Sequence, residues 1–295
     1  MKITTTGSLG NVAKPLVQKL IAAGHQVTVI TTKTDRKAEI ETLGANAAVG
    51  SISDRGFLTA AFKDADAVYT MLPPAMGPGN MIQNIADAGQ AYAKAIEATG
   101  VKRVVMLSSV GADANEGTGP VQGVHLVEQI FQRLTDVNIT ILRSGFFFVN
   151  FFRDIPLIKS RGLFGNNYSG DEKLAFTHHE DLSSAIAEAL QQKGNGFEVK
   201  YLISDISTGN QISALFGQAI GKPELSWTEI PDEQLRQGML SGGLPVELVG
   251  LIVEMGQAVR AGKITKDLFT TGAPVTGQHR LSQFASEFKT KYEQA

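Results

Sequence analysis

The chain contains no cysteine among its 295 residues, and this absence excludes several kinds of chemistry. Disulfides, thiolate catalysis and metal sites built from cysteine are therefore all excluded. Charged residues make up only 19% of the chain, and a net charge of −2 gives no support for a nucleic-acid or anionic-membrane partner. No apolar run is long enough to cross a bilayer. Because the first residues form a strand pattern, we expect no signal peptide and a cytoplasmic location.

The chain does contain a glycine loop close to its first residue. A β-branched run over residues 3–6 is followed by Gly7, Gly10 and Ala13, where a helical pattern begins. Glycines let backbone N–H groups approach a pyrophosphate, and the helix N-terminus adds a positive dipole end. A structural turn without a ligand is the alternative. The order of strand, turn and helix favours a dinucleotide site, and the predicted contacts are Gly7, Ser8, Leu9, Gly10, Asn11 and Val12.

Strand and helix patterns alternate through the first half of the chain. Strand patterns cover residues 2–6, 26–32, 47–49, 67–72, 104–108 and 139–143. This alternation predicts an α/β fold with a Rossmann-like, doubly wound parallel sheet. We predict a NAD(P)-binding domain over residues 1–145, with residues 173–204 returning to its sheet. A smaller, mostly helical substrate-binding lobe is predicted to contain residues 146–172 and 205–295.

The end of the second strand bears on the choice between NAD and NADP. A carboxylate at this point binds the ribose hydroxyls of NAD, whereas a cation suits the 2′-phosphate of NADP. Neither Thr31 nor Thr32 is acidic, and Lys33 and Arg36 supply positive charge. Asp35 lies between these two cations, and a solvated charged loop is the alternative. On balance these residues favour NADP over NAD.

Further cofactor contacts are expected where later strands end, because ligands of open parallel sheets bind at the carboxyl ends of the strands. Asp54 follows the third strand, and its compatible alternative role is to cap the next helix. The other predicted contacts are Met71, Leu72, Pro73, Ser108, Ser109 and Phe146.

Several of these segments together resemble the NmrA-like group of atypical short-chain dehydrogenases. The matching segments are residues 6–13, 53–54, 104–109, 125–128 and 141–146, and the similarity continues at 176–182 and 268–272. The resemblance covers nearly the whole chain and implies a Rossmann-like fold that binds NAD(P). Within the group, the chain looks most like the NAD(P)H-dependent quinone oxidoreductase and triphenylmethane reductase type. The group also contains redox-sensing regulators without turnover.

The Tyr-x-x-x-Lys pair of typical short-chain dehydrogenases is missing, because no tyrosine here has a lysine four residues later. In that pair, lysine lowers the pKa of the tyrosine, which then moves a proton to or from the substrate. The resemblance places His125 nearest the nicotinamide, so His125 is the candidate catalytic residue. A structural histidine bonded to the backbone or to Glu128, on the same helix face, is the alternative.

The missing pair also restricts the substrate. A ketone needs a proton as hydride arrives, whereas a quinone or cationic dye delocalises the charge of its reduced form. Five phenylalanines lie within residues 146–152, and we expect some to stack on such a flat acceptor and others to enter the core. The predicted substrate contacts are Tyr69, Phe147, Phe151, Phe176 and His178.

No metal site is expected. His178 and His179 are adjacent on a predicted extended segment, where neighbouring side chains point to opposite faces, and no acidic ligand set accompanies them.

The sequence therefore predicts an enzyme, an NADPH-dependent reductase that transfers hydride to a quinone-like or other conjugated acceptor. The alternative is an NADP-binding redox sensor of the NmrA type, which has a protein partner and no turnover. NADPH oxidation with a panel of quinones separates the two.

Overall fold

The computed structural model describes residues 1–73 and 79–295. Its first half contains β1 (Lys2–Thr5), α1 (Ala13–Ala22), β2 (Gln26–Thr31), α2 (Lys37–Thr42), β3 (Asn46–Val49), α3 (Arg55–Phe62), β4 (Ala67–Thr70), α4 (Met81–Thr99), β5 (Arg103–Ser109), α5 (Val121–Gln132) and β6 (Asn138–Ser144). A short 3-10 helix, Thr34–Arg36, precedes α2.

The second half contains β7 (Phe146–Phe147), α6 (Ile155–Arg161), β8 (Phe164–Asn166), β9 (Lys173–Thr177), α7 (His179–Gln191), β10 (Phe197–Leu202), β11 (Asp205–Thr208), α8 (Gly209–Ala219), β12 (Trp227–Glu229), α9 (Asp232–Ser241), α10 (Val246–Arg260), α11 (Lys266–Thr271) and α12 (Leu281–Gln294). A second 3-10 helix, Phe148–Asp154, lies between β7 and α6.

The chain folds as two compact units, each made of segments that are separated in sequence. Unit 1 contains residues 1–109, 123–143 and 182–200. Unit 2 contains residues 110–122, 144–181 and 201–295.

A seven-stranded sheet of order β10-β6-β5-β4-β1-β2-β3 organises unit 1. Strand β1 pairs in parallel with both β2 and β4, so that Ile3 lies opposite Val27 and Ala67. The strand order reverses at β1, and the crevice beyond the carboxyl ends of the strands at such a point is where open α/β sheets bind ligands. The predicted Rossmann-like fold is therefore confirmed.

Apolar side chains fill the interior of unit 1. All four residues of β4 are buried, as expected for a strand covered by helices on both faces. Helices α4 and α5 approach closely because glycines stand at their contact. A Cβ on Gly89 would lie 2.5 Å from Val127, and a Cβ on Gly123 would lie 2.9 Å from Ile85.

Arg103, at the start of β5, is a buried cation that connects β5 to the C-terminal end of α7 within unit 1. Its Nε and Nη2 donate hydrogen bonds to the carbonyl of Ala189, at 3.0 and 2.7 Å. The same guanidinium donates to Thr140 Oγ1 at 2.8 Å and to the carbonyl of Asn138 at 3.2 Å. Backbone oxygens in the last turn of a helix have no intrahelical partner, and Arg103 supplies a side-chain donor to one of them.

Unit 2 has an aromatic interior beside two small sheets. One sheet has the order β11-β9-β7, and the other pairs β12 with β8 in parallel. Rings from distant segments meet in its core: Phe216 stacks on Phe288 with centroids 4.2 Å apart and contacts Phe151 edge-on at 5.2 Å. Such pairs add packing energy beyond the apolar area they bury.

No helix within residues 1–73 and 79–295 combines the length and apolar character that crossing a membrane requires.

Candidate functional site

The glycine loop turns sharply between β1 and α1. Gly7 has φ +94° and Ser8 has φ +52°, so two consecutive residues adopt the left-handed region. This conformation is strained for serine, and it is held by bonds to β2. The Ser8 N–H donates to the Ile30 carbonyl at 3.1 Å, and Ser8 Oγ donates to Thr31 Oγ1 at 3.0 Å.

The first turn of α1 is open to a ligand or to solvent. Val12 occupies the N-cap position without a side-chain cap. Within the described chain, the backbone N–H groups of Asn11, Val12 and Ala13 find no hydrogen-bond acceptor. A Cβ on Gly10 would lie 3.3 Å from the Gly7 carbonyl, so a side chain would crowd this turn. These features fit a dinucleotide pyrophosphate, which binds to free N–H groups at a helix N-terminus.

Met71 packs beside the glycine loop where β4 ends. Its N–H donates to Thr6 Oγ1 at 2.9 Å, and its carbonyl accepts from the Tyr92 hydroxyl at 3.1 Å. A Cβ on Gly7 would lie 3.1 Å from Met71 Cγ. The structure thus brings together the predicted residues of β1 and β4. Leu72 and Pro73 follow them and are half-buried.

A charged cluster lies between α1 and the segment after β2. Thr31 is buried and accepts from the Lys33 N–H at 3.1 Å, while Lys33 itself is exposed. Arg36 Nη1 is 2.8 Å from Glu39 Oε2, and Lys14 Nζ is 3.0 Å from Glu39 Oε1. The bonds from Lys14 and Arg36 hold the pKa of Glu39 below its ordinary value. The sequence analysis identified Arg36 but missed Lys14 and Glu39, since their pairing joins two helices.

Asp54 caps α3, because its Oδ1 accepts from the Phe57 N–H at 3.0 Å. This is the role named as the alternative to a cofactor contact, and the exposed carboxylate is compatible with both. Thr32 is exposed as well.

A buried ion pair lies below the end of β5. The Glu128 carboxylate accepts from Arg143 Nη2 at 2.7 Å and Nε at 3.1 Å, and it also accepts from the Ser108 hydroxyl. All three residues are buried. His125 is half-buried one turn away on α5, and Ser109 is half-buried at the end of β5. An arginine that follows the apolar pair Ile141 and Leu142 in a buried strand is the sequence signal for this pair, which the sequence analysis did not identify.

Tyr69 is fully buried in β4. Its hydroxyl has no hydrogen-bond partner within the described residues. Burial raises the pKa of this phenol above its ordinary value. A solvent-facing position for the ring, which substrate contact would require, is not seen in this structure; its predicted role stays a prediction.

The aromatic segment of residues 146–152 belongs to unit 2 and is mainly core. Phe148 is fully buried, and Phe146 packs against Phe176 at 6.2 Å. Phe151 lies 5.6 Å from the same ring, and it also contacts Phe164 and Phe216. Among the described residues, half-buried Phe147 makes no ring contact of this kind. Phe147 is therefore the phenylalanine of this segment whose ring face is least used by the core.

The rings of His178 and His179 do not point to opposite faces, and that expectation is wrong. Their centroids lie 4.3 Å apart, because α7 begins at His179 and the backbone turns between the two residues. His279 stacks on the other side of His178 at 4.0 Å and bonds to Asp181 through Nδ1 at 2.7 Å. Burial lowers the pKa of His178 to about 4. No set of three metal-ligating side chains occurs in the described parts of the chain.

Asp154, at the start of α6, also escaped the sequence analysis. It is half-buried and makes no side-chain hydrogen bond to the cap of its helix. Burial raises the pKa of this carboxyl to about 7.

A parallel sheet with a glycine loop at its switch point and an open helix N-terminus places the chain in the Rossmann-like class of α/β folds. The particular group follows from the whole-chain pattern. The NmrA-like family model matches residues 1–278, and the chain belongs to this family.

Similar proteins include a quinone oxidoreductase, a triphenylmethane reductase and an azoreductase. The NADPH-dependent quinone oxidoreductase QOR2 from Escherichia coli, solved with NADPH, superposes with a TM-score of 0.78 at 20% identity over 97% of this chain and 99% of its own. Triphenylmethane reductase from Citrobacter sp., solved with NADP(H), gives 0.78 at 19% identity over 97% and 100%. The NAD(P)H azoreductase of Xenophilus azovorans is 22% identical over 256 residues, which is 86% of this chain and 85% of that protein. At these identities the structural likenesses establish the shared fold.

Proposed function

We propose that this protein is an NADPH-dependent reductase that transfers hydride to a quinone-like or other conjugated acceptor. The observation that carries the proposal is the loop from Gly7 to Ala13, whose free N–H groups and missing side chains suit a pyrophosphate. Support for reductase chemistry comes from the quinone, triphenylmethane and azo reductases that resemble the chain.

The residues of unit 1 would bind and orient the cofactor. The first turn of α1 would hold the pyrophosphate, and Met71 would line the nearby end of β4. NADPH supplies hydride from its nicotinamide when it is bound. A quinone gains that hydride and needs one proton, which water or His125 would provide, whereas a cationic dye is neutralised by the hydride alone. Because a delocalised acceptor tolerates late protonation, positioning is expected to matter more than a strong general acid.

NADP is proposed over NAD because cationic residues follow β2 and no acidic residue stands at the end of that strand. Lys33 is exposed at this point, and Arg36 lies three residues later. A charge-assisted bond to the 2′-phosphate would contribute about 1.5–3 kcal/mol. Lys33→Ala should therefore narrow the difference between NADPH and NADH affinity.

The test is NADPH oxidation followed at 340 nm with a panel of quinones and one azo or triphenylmethane dye. The matched control is Gly10→Val, whose branched Cβ crowds the turn and should abolish NADPH binding in a folded protein. Turnover by the parent and its loss in Gly10→Val support the proposal. Unchanged NADPH affinity of folded Gly10→Val in calorimetry contradicts the assignment of the loop. Tight NADPH binding without turnover on any acceptor would instead favour a redox-sensing regulator.

A further inference from the structure

Lys14, Glu39 and Arg36 form a closed charge cluster beside the proposed cofactor loop. Lys14 stands in the first turn of α1, and Glu39 stands in the first turn of α2. The carboxylate of Glu39 accepts from Lys14 on one oxygen, at 3.0 Å, and from Arg36 on the other, at 2.8 Å. Two cations at this edge of unit 1 are thus already paired with the same anion.

Each member of the cluster remains accessible to a ligand in solution. The side chains of Lys14, Glu39 and Arg36 are 44%, 39% and 42% exposed. Exposed ion pairs of this kind are weak and exchange readily with other anions. A phosphate is a stronger competitor than a carboxylate, because it has three acceptor oxygens and up to two negative charges.

We propose that Glu39 is a specificity-determining residue, a built-in competitor of the 2′-phosphate that limits how strongly this chain prefers NADPH over NADH. The inference rests on the proposed function, because it concerns the same cofactor site. Glu39 occupies Lys14 and Arg36, two cations that a 2′-phosphate would use beside Lys33, and its charge repels that phosphate. NADH lacks the phosphate, so its binding does not require Lys14 and Arg36 to leave the carboxylate.

The proposal assigns Lys14 a role as well. Lys14 lies in the first turn of α1, where the positive end of the helix dipole repels a positively charged side chain. Its nearest anion is Glu39, across the gap to α2. With Glu39 neutralised, Lys14 and Arg36 would both be available to the 2′-phosphate.

The experiment compares Glu39→Gln with Glu41→Gln by calorimetry, using NADPH, NADH, adenosine 2′,5′-bisphosphate and 5′-AMP. Glutamine keeps the length and helix propensity of glutamate and removes one charge in each variant. Glu41 lies on the same helix but pairs with Lys37, at 3.8 Å, so it controls for the change of net charge. Binding is measured directly, and enzymatic turnover is not needed.

We expect Glu39→Gln to raise the ratio of NADPH to NADH affinity about threefold to tenfold, and Glu41→Gln to change it by less than about twofold. Adenosine 2′,5′-bisphosphate should gain affinity in parallel, whereas 5′-AMP should not. In a Lys14→Ala/Arg36→Ala background, the effect of Glu39→Gln should shrink to the part that comes from direct repulsion between Glu39 and the 2′-phosphate.

An unchanged or lowered ratio in Glu39→Gln would overturn the inference, as would an equal gain for both cofactors or an equal effect of Glu41→Gln. These results leave the cofactor proposal standing if the parent binds NADPH. A parent that binds neither cofactor contradicts the proposed function and the inference with it.

Discussion

The two units bury different kinds of side chain. The interior of unit 1 is mainly aliphatic and comes from strands such as β5, where Val104, Val105 and Met106 are fully buried. The interior of unit 2 is mainly aromatic, and Phe151 and Phe284 reach the ring of Phe216 from well-separated segments. An aliphatic strand forms its pattern within a few residues, whereas a ring cluster exists only after distant segments have met.

The units also differ in how they bury titratable groups. Unit 1 pairs opposite charges, as in Glu128 and Arg143. Unit 2 packs three imidazoles together, with His178 between His179 and His279. A buried ion pair is vulnerable to the loss of one partner, while a buried neutral imidazole is vulnerable to acid. We therefore expect unit 1 to be destabilised mainly by loss of one partner of its ion pair, and unit 2 mainly by low pH.

The largest effect is expected when the ion pair of unit 1 is broken. Glu128→Leu leaves the buried Arg143 guanidinium without its anion and should lower the free energy of unfolding by about 3–5 kcal/mol. The double variant Glu128→Leu/Arg143→Met should recover most of this loss, because neither charge remains. Urea unfolding of the three proteins measures the difference. A double variant as unstable as the single one would show that shape, and not the unpaired charge, dominates.

The next effect is the response of unit 2 to acid. Burial lowers the pKa of His178 from an ordinary 6.5 to about 4, so the unfolded chain takes up this proton first as the pH falls. Stability is therefore fully present above pH 6.5 and should decline by about 2–3 kcal/mol as the pH falls towards 4.

His178→Asn is the variant that isolates this contribution. Asparagine keeps an acceptor for the Glu180 N–H, which bonds to His178 Nδ1 at 3.2 Å, but it does not titrate. Urea unfolding between pH 4 and pH 7.5 should show a shallower decline in the variant. An identical decline in both proteins would place the acid response elsewhere.

The sequence predicted unit 1 far better than unit 2, for physical reasons. The glycine loop and the buried strands are local patterns, and β1, β2 and β4 begin at the predicted residues. Predicting the bond between Ser8 and Thr31 requires knowing that the two strands are neighbours. The Glu39 cluster and the stacking of His279 on His178 depend on contacts across 25 and 101 positions, which periodicity does not encode.

A smaller effect should distinguish two phenylalanines of unit 2. Phe147→Leu removes a ring that makes no ring contact among the described residues, and it should weaken acceptor binding by about 0.5–1.5 kcal/mol if that ring stacks on the substrate. Phe151→Leu should instead lower protein stability, since Phe151 contacts three other rings.

Steady-state kinetics with one quinone and urea unfolding separate these outcomes. A raised KM for Phe147→Leu with unchanged NADPH affinity supports its role. The assignment of Phe147 fails if Phe151→Leu alone raises the KM.

The smallest effect is expected at the cap of α3 in unit 1. Asp54→Ala removes the acceptor for the Phe57 N–H and should destabilise the protein by about 0.5–1 kcal/mol. Asp54→Asn keeps an acceptor and should recover most of that loss. If Asp54 also contacts adenine, both variants should weaken NADPH binding, which calorimetry measures. Normal cofactor affinity in both would leave capping as its role.

The hydrogen bonds of Arg103 cannot all form at the same stage of synthesis, because their acceptors are far apart in sequence. The acceptors Asn138 and Thr140 emerge from the ribosome within 37 residues of Arg103. The acceptor carbonyl of Ala189 lies 86 residues after Arg103 and emerges much later. The 38 residues of 144–181, which belong to the other unit, must emerge in between. A nascent chain that stops near residue 145 therefore contains the whole glycine loop but lacks helix α7 and β10, the last strand of its sheet. Most of unit 1 is thus synthesised first, but its sheet is completed late.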